Sequence, residues 1–291
     1  MQRSKLRVAC LQTGSVNEED DIGRGIERAK LLLDEAQHAG AEIAVFPELF
    51  LAPFFPKRLR ADIDQFFFDL DDRRLGELRE HCRARKLAAI VPIAERRNGS
   101  HYNSAVFVDE AGEVGGVYRK THIPAYLPND QPGGTGSYEK FYFTPGENLP
   151  VFRWRGTTFG IQICNDRLYP EASRVLAMKG AEVIFMPISY SSYSRPEERA
   201  SIWEVPLRAR AFENGNFVVA ANRVGTEGER RHIGRSMIVR PNGMILAEAS
   251  GEQEQILFAE LDLSECTTAR LNFPWWRDRR PSLYQALSAL E

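Results

Sequence analysis

The chain has 291 residues, 43% of them hydrophobic and 27% charged, which is within the globular range and enough for a substantial buried core in one large domain or two small ones. Lys+Arg 38 against Asp+Glu 40 gives a net charge of -2, so no global field draws the protein to nucleic acid or an anionic membrane, and a small molecule is the expected partner. Neither a signal-type h-region after Met1–Lys5 nor an apolar run approaching the ~20 residues of a membrane span is present, and Cys10, Cys82, Cys164 and Cys266 show no paired or metal-ligand spacing, so a reducing, cytoplasmic setting is expected.

In chain order, the pattern predicts a strand at Leu6–Gln12, a helix from about Glu18 to His38, a strand at Glu42–Phe46, a helix near Arg73–Arg85 and a strand at Leu87–Ala94. The alternating stretches Asn103–Val108 and Val114–Arg119, joined at Asp109-Glu110-Ala111-Gly112, read as a hairpin that ends at Lys120. Thr121–Pro150, rich in Pro, Gly, Asn and Tyr, reads as an irregular excursion, and long ordered loops are often functional. The plan then repeats: strand Thr158–Ile163, helix Pro170–Lys179, strand Glu182–Met186, helix Glu197–Glu213, strand Asn216–Ala221 and a hairpin around Pro241-Asn242-Gly243. Gly40-Ala41-Glu42 and Gly180-Ala181-Glu182 each open an apolar run that closes on Pro47 or Pro187, so two similar halves are expected within one domain spanning 1–291. Continuous rather than alternating apolar runs suit strands buried on both faces, hence an α/β fold with two sheets between helical layers. The tail from Leu271, with Trp275, Trp276 and an Arg-rich run, is expected either to dock on a partner subunit or to pack on its own domain.

Three residues able to carry chemistry stand just beyond predicted strands, where side chains reach the crevice at the carboxyl edge of a sheet: Glu48, Lys120 and Cys164. A thiol between a buried strand and the helix opening at Pro170 can be stabilised as thiolate by backbone N–H groups and a cation, although a cysteine there can also be simple core packing. Cys10 and Cys82 read as core or helix-face residues, and Cys266 as part of a polar loop. Attack on an amide or ureido carbon needs a nucleophile, a proton carrier and a positive site for the oxyanion, which cysteine, glutamate and lysine supply together. No G-x-S-x-G elbow and no histidine pair at metal spacing offers another chemistry, and His122 beside Lys120 reads as a loop residue.

Phe46-Pro47-Glu48, Tyr118-Arg119-Lys120-Thr121-His122 and Cys164-Asn165-Asp166-Arg167 resemble, in order and spacing, the three signature segments of the nitrilase-like carbon–nitrogen hydrolases, over about Leu6 to Tyr284. The resemblance implies a four-layer α-β-β-α sandwich, pairing of sandwiches into homo-oligomers, and a Glu-Lys-Cys set mapping onto Glu48, Lys120 and Cys164. It also implies a second glutamate after the lysine: Tyr138-Glu139-Lys140-Phe141-Tyr142-Phe143 resembles that segment in carbamoyl-amine hydrolases, so Glu139 is the candidate.

Cys-Asn-Asp-Arg is similar to N-carbamoyl-D-amino-acid amidohydrolases, whereas the Glu139 segment and the terminal Arg-Arg-Pro-Ser-Leu-Tyr are similar to N-carbamoylputrescine amidohydrolases. Arg167 offers a fork for a carboxylate or for a structural ion pair, and Leu168 stands where the former enzymes carry a second basic residue. Asn165, Arg167 and Ser189 are the expected substrate contacts, with the Asn165 N–H and Lys120 facing the oxyanion. Neither metal nor organic cofactor is expected. An ω-amidase, a nitrilase and a non-catalytic binding or regulatory homologue are the alternatives.

Overall fold

The computed structural model describes residues 4–17, 20–125, 137–191 and 196–288. In chain order the first half runs β1 (Lys5–Gln12), α1 (Ile22–His38), β2 (Ile43–Val45), β3 (Phe67–Phe68), α2 (Arg73–Arg85), β4 (Ala88–Arg97), β5 (Ser100–Val108) and β6 (Val114–Arg119). A short helix α3 (Glu139–Tyr142) leads to β7 (Val151–Trp154), β8 (Thr157–Ile161), α4 (Pro170–Met178), β9 (Val183–Pro187), α5 (Pro196–Ser201), α6 (Glu204–Asn214) and β10 (Phe217–Ala221). The chain closes with β11 (Val224–Glu227), β12 (Arg230–Ile233), β13 (Met237–Val239), β14 (Ile245–Glu248), β15 (Gln255–Asp262) and α7 (Ser264–Asn272).

One sheet has the order β15-β1-β2-β4-β5-β6 and the other β14-β13-β10-β9-β8-β7, each with three adjacent parallel strands at its centre. Strand period decides the layers. Val8 and Cys10 of β1 face the second sheet, meeting Phe159, Phe185 and Val219, while Ala9 and Leu11 face Ile26, Leu33 and Leu78 of α1 and α2. Ile184, Met186, Val218 and Ala220 likewise face Leu176, Leu207 and Ala211 of α4 and α6. The result is the α-β-β-α layering, with the continuous apolar runs buried on both faces.

The repeated Gly-Ala-Glu has a physical basis in both halves. Gly40 and Gly180 take φ of 81° and 93° just past α1 and α4, a left-handed conformation that costs glycine little. Ala41 and Ala181 then return their N–H groups to Ala36 and Leu176 at 3.0 and 3.1 Å, closing each helix. Glu42 and Glu182 each accept a neighbouring strand's N–H, from Arg7 and Thr158, at 3.1 Å.

Several expectations need correction. Glu18 and Glu19 lie outside the described residues, and the first helix starts at Ile22, where Asp21 accepts the Gly23 N–H at 3.0 Å. The single helix expected over Glu197–Glu213 is two: Pro206, in the first turn of α6, has no N–H for the carbonyl of Ile202, and its ring would clash there. Cys266 is buried in α7, donating to the Glu182 carbonyl at 3.4 Å, instead of lying in a polar loop. The excursion at Thr121–Pro150, of which 126–136 lie outside the described residues, contains α3. For the tail no correction is needed: it touches its own α4 and α6, one of the two placements expected, with Phe273 and Trp275 at 5.5 and 5.7 Å from Phe212 and Arg174 over Trp276 at 5.0 Å.

Among the described residues, no helix is long and apolar enough to cross a membrane.

Candidate active site

Glu48, Lys120, Glu139 and Cys164 meet at the strand ends of the sandwich. Glu48 follows β2 through Pro47 and is fully buried, with the next residue, Leu49, turned to φ 50°. Lys120 directly follows β6, its N–H bonded to the Asn103 carbonyl and its carbonyl to the Gly146 N–H, both at 2.8 Å. A side chain at residue 146 would put its Cβ 2.3 Å from the Arg119 carbonyl oxygen, so glycine is required for that close approach. The neighbouring Arg119 anchors the strand end outward on buried Glu95, with Nε 2.7 Å from Oε2.

Lys120 Nζ donates to Glu48 Oε1 at 2.7 Å and to Glu139 Oε2 at 2.6 Å. Asn103 Nδ2 adds a bond to Glu48 Oε1 at 2.8 Å, and Ser137 Oγ one to Glu139 Oε1 at 3.0 Å. Two carboxylates and one ammonium cannot all keep ordinary protonation in a dry site. Burial pulls each carboxyl up. At Glu48 the Lys120 charge and hydrogen bonds win, and its pKa falls below the ordinary value. At Glu139 burial together with the Glu48 charge outweighs Lys120, and its pKa rises. Burial pulls Lys120 down, but Glu139 and Glu48 more than restore it, so its pKa lies above the usual lysine value. The set therefore favours ionised Glu48, protonated Lys120 and a Glu139 that holds its proton more readily.

Cys164 opens a short 3-10 turn, Cys164–Leu168, with φ 47°, the left-handed region that non-glycine residues rarely occupy. Asp166 holds that turn. It accepts the Ile163 N–H at 2.9 Å and the Tyr118 hydroxyl at 2.7 Å through Oδ2, and the His122 N–H at 2.9 Å through Oδ1. One buried carboxylate thus ties the cysteine turn to the segment carrying Lys120. Burial, then the Glu48 charge, raise the Cys164 thiol to about 11 against the opposing Lys120 and Arg167 charges. At neutral pH the sulfur is a thiol beside the Glu48 carboxylate. The thiol also hydrogen-bonds the Glu48 carboxylate and helps to lower its pKa.

Cys164 and Glu139 lie in a cavity of about 430 Å³ whose walls include Phe54, Leu168, Tyr190, Val205 and Pro206. Asn165, Arg167 and Ser189 line it too, as expected from the sequence. Asn165 Nδ2 donates to the His122 carbonyl at 3.0 Å, fixing the turn. Arg167 stacks on Tyr190 at 4.8 Å and donates through Nη1 to the Cys164 carbonyl at 2.7 Å, with Sγ 3.8 Å away. Its Nε and the Ser189 hydroxyl are buried without hydrogen-bond partners among the described residues. His122 stacks on Tyr169 at 3.8 Å and pairs with Asp166, a structural place consistent with a loop residue.

Sequence reasoning passed over Asn103 and Asp166. Asn103 had a signal: it is a polar residue in register with core-facing Ala105 and Phe107 on an alternating strand. Asp166 lay inside a quoted motif, but its role depends on contacts 44 and 48 residues away in sequence. Among the described residues no cluster of three His, Cys, Asp or Glu could hold a metal.

The carbon-nitrogen hydrolase family model matches residues 7–271. The chain is 33% identical to an N-carbamoylputrescine amidase of Oryza sativa subsp. japonica, over 99% of this chain and 96% of that protein. It is 31% identical to a citrullinase of Francisella tularensis subsp. tularensis, over 98% of each. Among solved structures, a carbon-nitrogen hydrolase from Helicobacter pylori G27 superposes with TM-score 0.87 at 30% identity, covering 98% of both chains. A double mutant of the amidase from Nesterenkonia sp. AN1 in complex with acrylamide gives TM-score 0.80 at 25% identity, covering 99% of this chain and 98% of that one.

Proposed function

Because the chain belongs to the carbon–nitrogen hydrolase family, a family of hydrolytic enzymes, we propose that it hydrolyses an N-carbamoyl C–N bond by cysteine catalysis. The observation that carries this reading is Lys120 Nζ held between Glu48 and Glu139, with the Cys164 thiol within reach of all three charges at a cavity wall.

In this mechanism Glu48 takes the thiol proton as Cys164 sulfur attacks the carbamoyl carbon. The carbonyl oxygen becomes an anion against Lys120 and the backbone N–H of Asn165, groups worth most where water is excluded. As the tetrahedral species collapses, Glu48 passes its proton to the departing nitrogen and ammonia leaves a thioester-like carbamoyl enzyme. A water that gives its proton to Glu48 attacks the same carbon, the C–S bond breaks, and the thiolate recovers the proton. The released carbamate falls to carbon dioxide and an amine. Glu139 holds Lys120 at its place throughout.

The far end of the substrate is read as carboxylate rather than ammonium. Arg167, Arg199, Arg210 and Arg230 line the cavity, and Glu139 of the catalytic set is the sole carboxylate among the described lining residues. Arg210 meets Glu213 at 2.5 Å, whereas Arg167 Nε lacks a partner among the described residues. A terminal ammonium would meet like charge there.

The test is an ammonia-release screen over carbamoyl-D- and L-amino acids, citrulline, carbamoylputrescine, simple amides and nitriles. Carbamoyl acids are expected to turn over best, and Cys164→Ala and Lys120→Ala to lose that turnover. Near-native ammonia release by either folded variant overturns the mechanism.

The same reading takes the protein as one cytoplasmic domain, with reduced thiols, that associates into a homo-oligomer. Leu271, Leu283 and Leu287 leave apolar surface exposed on the tail, which a partner subunit would cover. A monomer in light scattering overturns that part.

A further inference from the structure

Arg223 stands two residues past β10, in the second half, and is fully buried against the first. Its Nε and Nη2 donate to the Glu48 carbonyl at 3.1 and 2.9 Å, and Nη2 also reaches the carbonyls of Ala52, at 2.9 Å, and Leu49. All three carbonyls belong to the turn that bears the proposed base. On its other side Nη1 lies 3.8 Å from Glu227, which itself accepts from the Phe54 N–H and bonds His232 Nε2 at 3.0 Å. An Arg–Glu pair from one half thus grips both ends of residues 48–54 of the other.

The grip matters because Glu48 Oε1 is already committed to Lys120 and Asn103, and the same carboxylate must also meet the Cys164 thiol, which hydrogen-bonds it. The direction of that carboxylate is set from the backbone, at a turn whose Leu49 sits at φ 50°. A guanidinium fork can hold several carbonyls at once; an ammonium is a single point with shorter reach.

We propose that Arg223 is a positioning residue, holding the Glu48 carboxylate toward the Cys164 sulfur through the carbonyls of residues 48, 49 and 52. This rests on the reading of Glu48 as base. The groups whose charges act on the thiol are Glu48, Lys120, Arg167 and Glu139. Glu48 raises the thiol pKa, so a Glu48 that swings away makes the thiol more acidic.

The experiment follows two readouts in Arg223→Met and Arg223→Lys: turnover of the best carbamoyl substrate, and the pH profile of Cys164 alkylation by iodoacetamide, which needs no substrate. In Arg223→Met, kcat is expected to fall about 10–100-fold, the scale of a misplacement near 1 Å, with KM within about twofold. The alkylation midpoint moves to lower pH, and Arg223→Lys recovers part of both. Wild-type kcat and midpoint in a folded Arg223→Met overturn the proposal. If only the lysine variant folds, it decides by the same two readouts; if neither folds, the residue is structural and the proposal is overturned. A wild type that releases no ammonia from any carbamoyl compound defeats the hydrolase reading instead, while the alkylation midpoints still judge Arg223.

Discussion

Replacing Glu48 by Gln separates two effects of one carboxylate. With the Cys164 thiol at about 11, its thiolate fraction at pH 7 is roughly 10⁻⁴. The Glu48 charge is one cause of that high value, opposed by Lys120 and Arg167. Removing it leaves both cations and lowers the thiol pKa; a like charge at contact range shifts a neighbour by about 1–3, so alkylation at pH 7 should speed up at least about tenfold. Turnover should move the other way, because no group remains to carry the proton between sulfur, ammonia and water, a loss of about 10²–10⁴ in rate. The assay pairs iodoacetamide labelling of Cys164, located by peptide mass, with ammonia release from a carbamoyl acid. A Glu48→Gln protein in which both rates fall together, or in which turnover survives, refutes the assignment of Glu48 as base.

Glu139→Gln imitates the protonated form and should keep the fold and lose about tenfold in kcat, less than Glu48→Gln, since general-base transfer is spared; the reverse order exchanges the two roles. The raised pKa of Glu139 contributes stability below the ordinary glutamate value that is lost as pH rises through its folded value, so the melting temperature of Glu139→Gln relative to wild type should increase from pH 4 to pH 8. The lowered pKa of Glu48 contributes stability above the ordinary value that is lost as pH falls through its folded value, so Glu48→Gln should lose ground over the same range; parallel curves for both variants count against the charge pattern. Arg167→Gln should raise KM for carbamoyl acids about tenfold or more, the worth of a charge-assisted hydrogen bond, while a neutral amide shows a smaller KM change; equal changes for both remove Arg167 as an anion contact.

Much of this was legible in the letters because the physics behind it is local. Gly40 and Gly180 end helices by their own φ, Pro47 and Pro187 close strands, and apolar runs without alternation announce burial on both faces. Two hairpins went unread, at Asn98-Gly99 and Arg155-Gly156, where both residues of each pair take positive φ. Glu48, Lys120 and Cys164 could be chosen because each follows a strand. Glu139 could not be chosen that way: it sits in an irregular segment, and only its partner Lys120, 19 residues earlier, gives it meaning. Arg223 gave no signal, since its three carbonyl partners are 171 to 175 residues away.

The division of the site between halves explains why those long-range contacts exist. Glu48 and Lys120 follow strands of one sheet, and Cys164 follows a strand of the other. A catalytic geometry held to a fraction of an ångström therefore cannot be set by either sheet alone. The apolar layer between the sheets, where Phe107 meets Phe159 at 5.0 Å and Phe152 at 6.1 Å, fixes their spacing, but apolar contact is non-directional and tolerates small slips. Directional bonds across the seam remove that freedom: Tyr118 to Asp166 at the cysteine turn, and Arg223 to residues 48, 49 and 52 at the base. Each runs from a buried donor in one half to buried acceptors in the other, so a slip would strand both sides unpaired in a dry interior. The fold supplies the meeting place, and polar ties of this kind fix the register of the two halves around Glu48, Lys120 and Cys164.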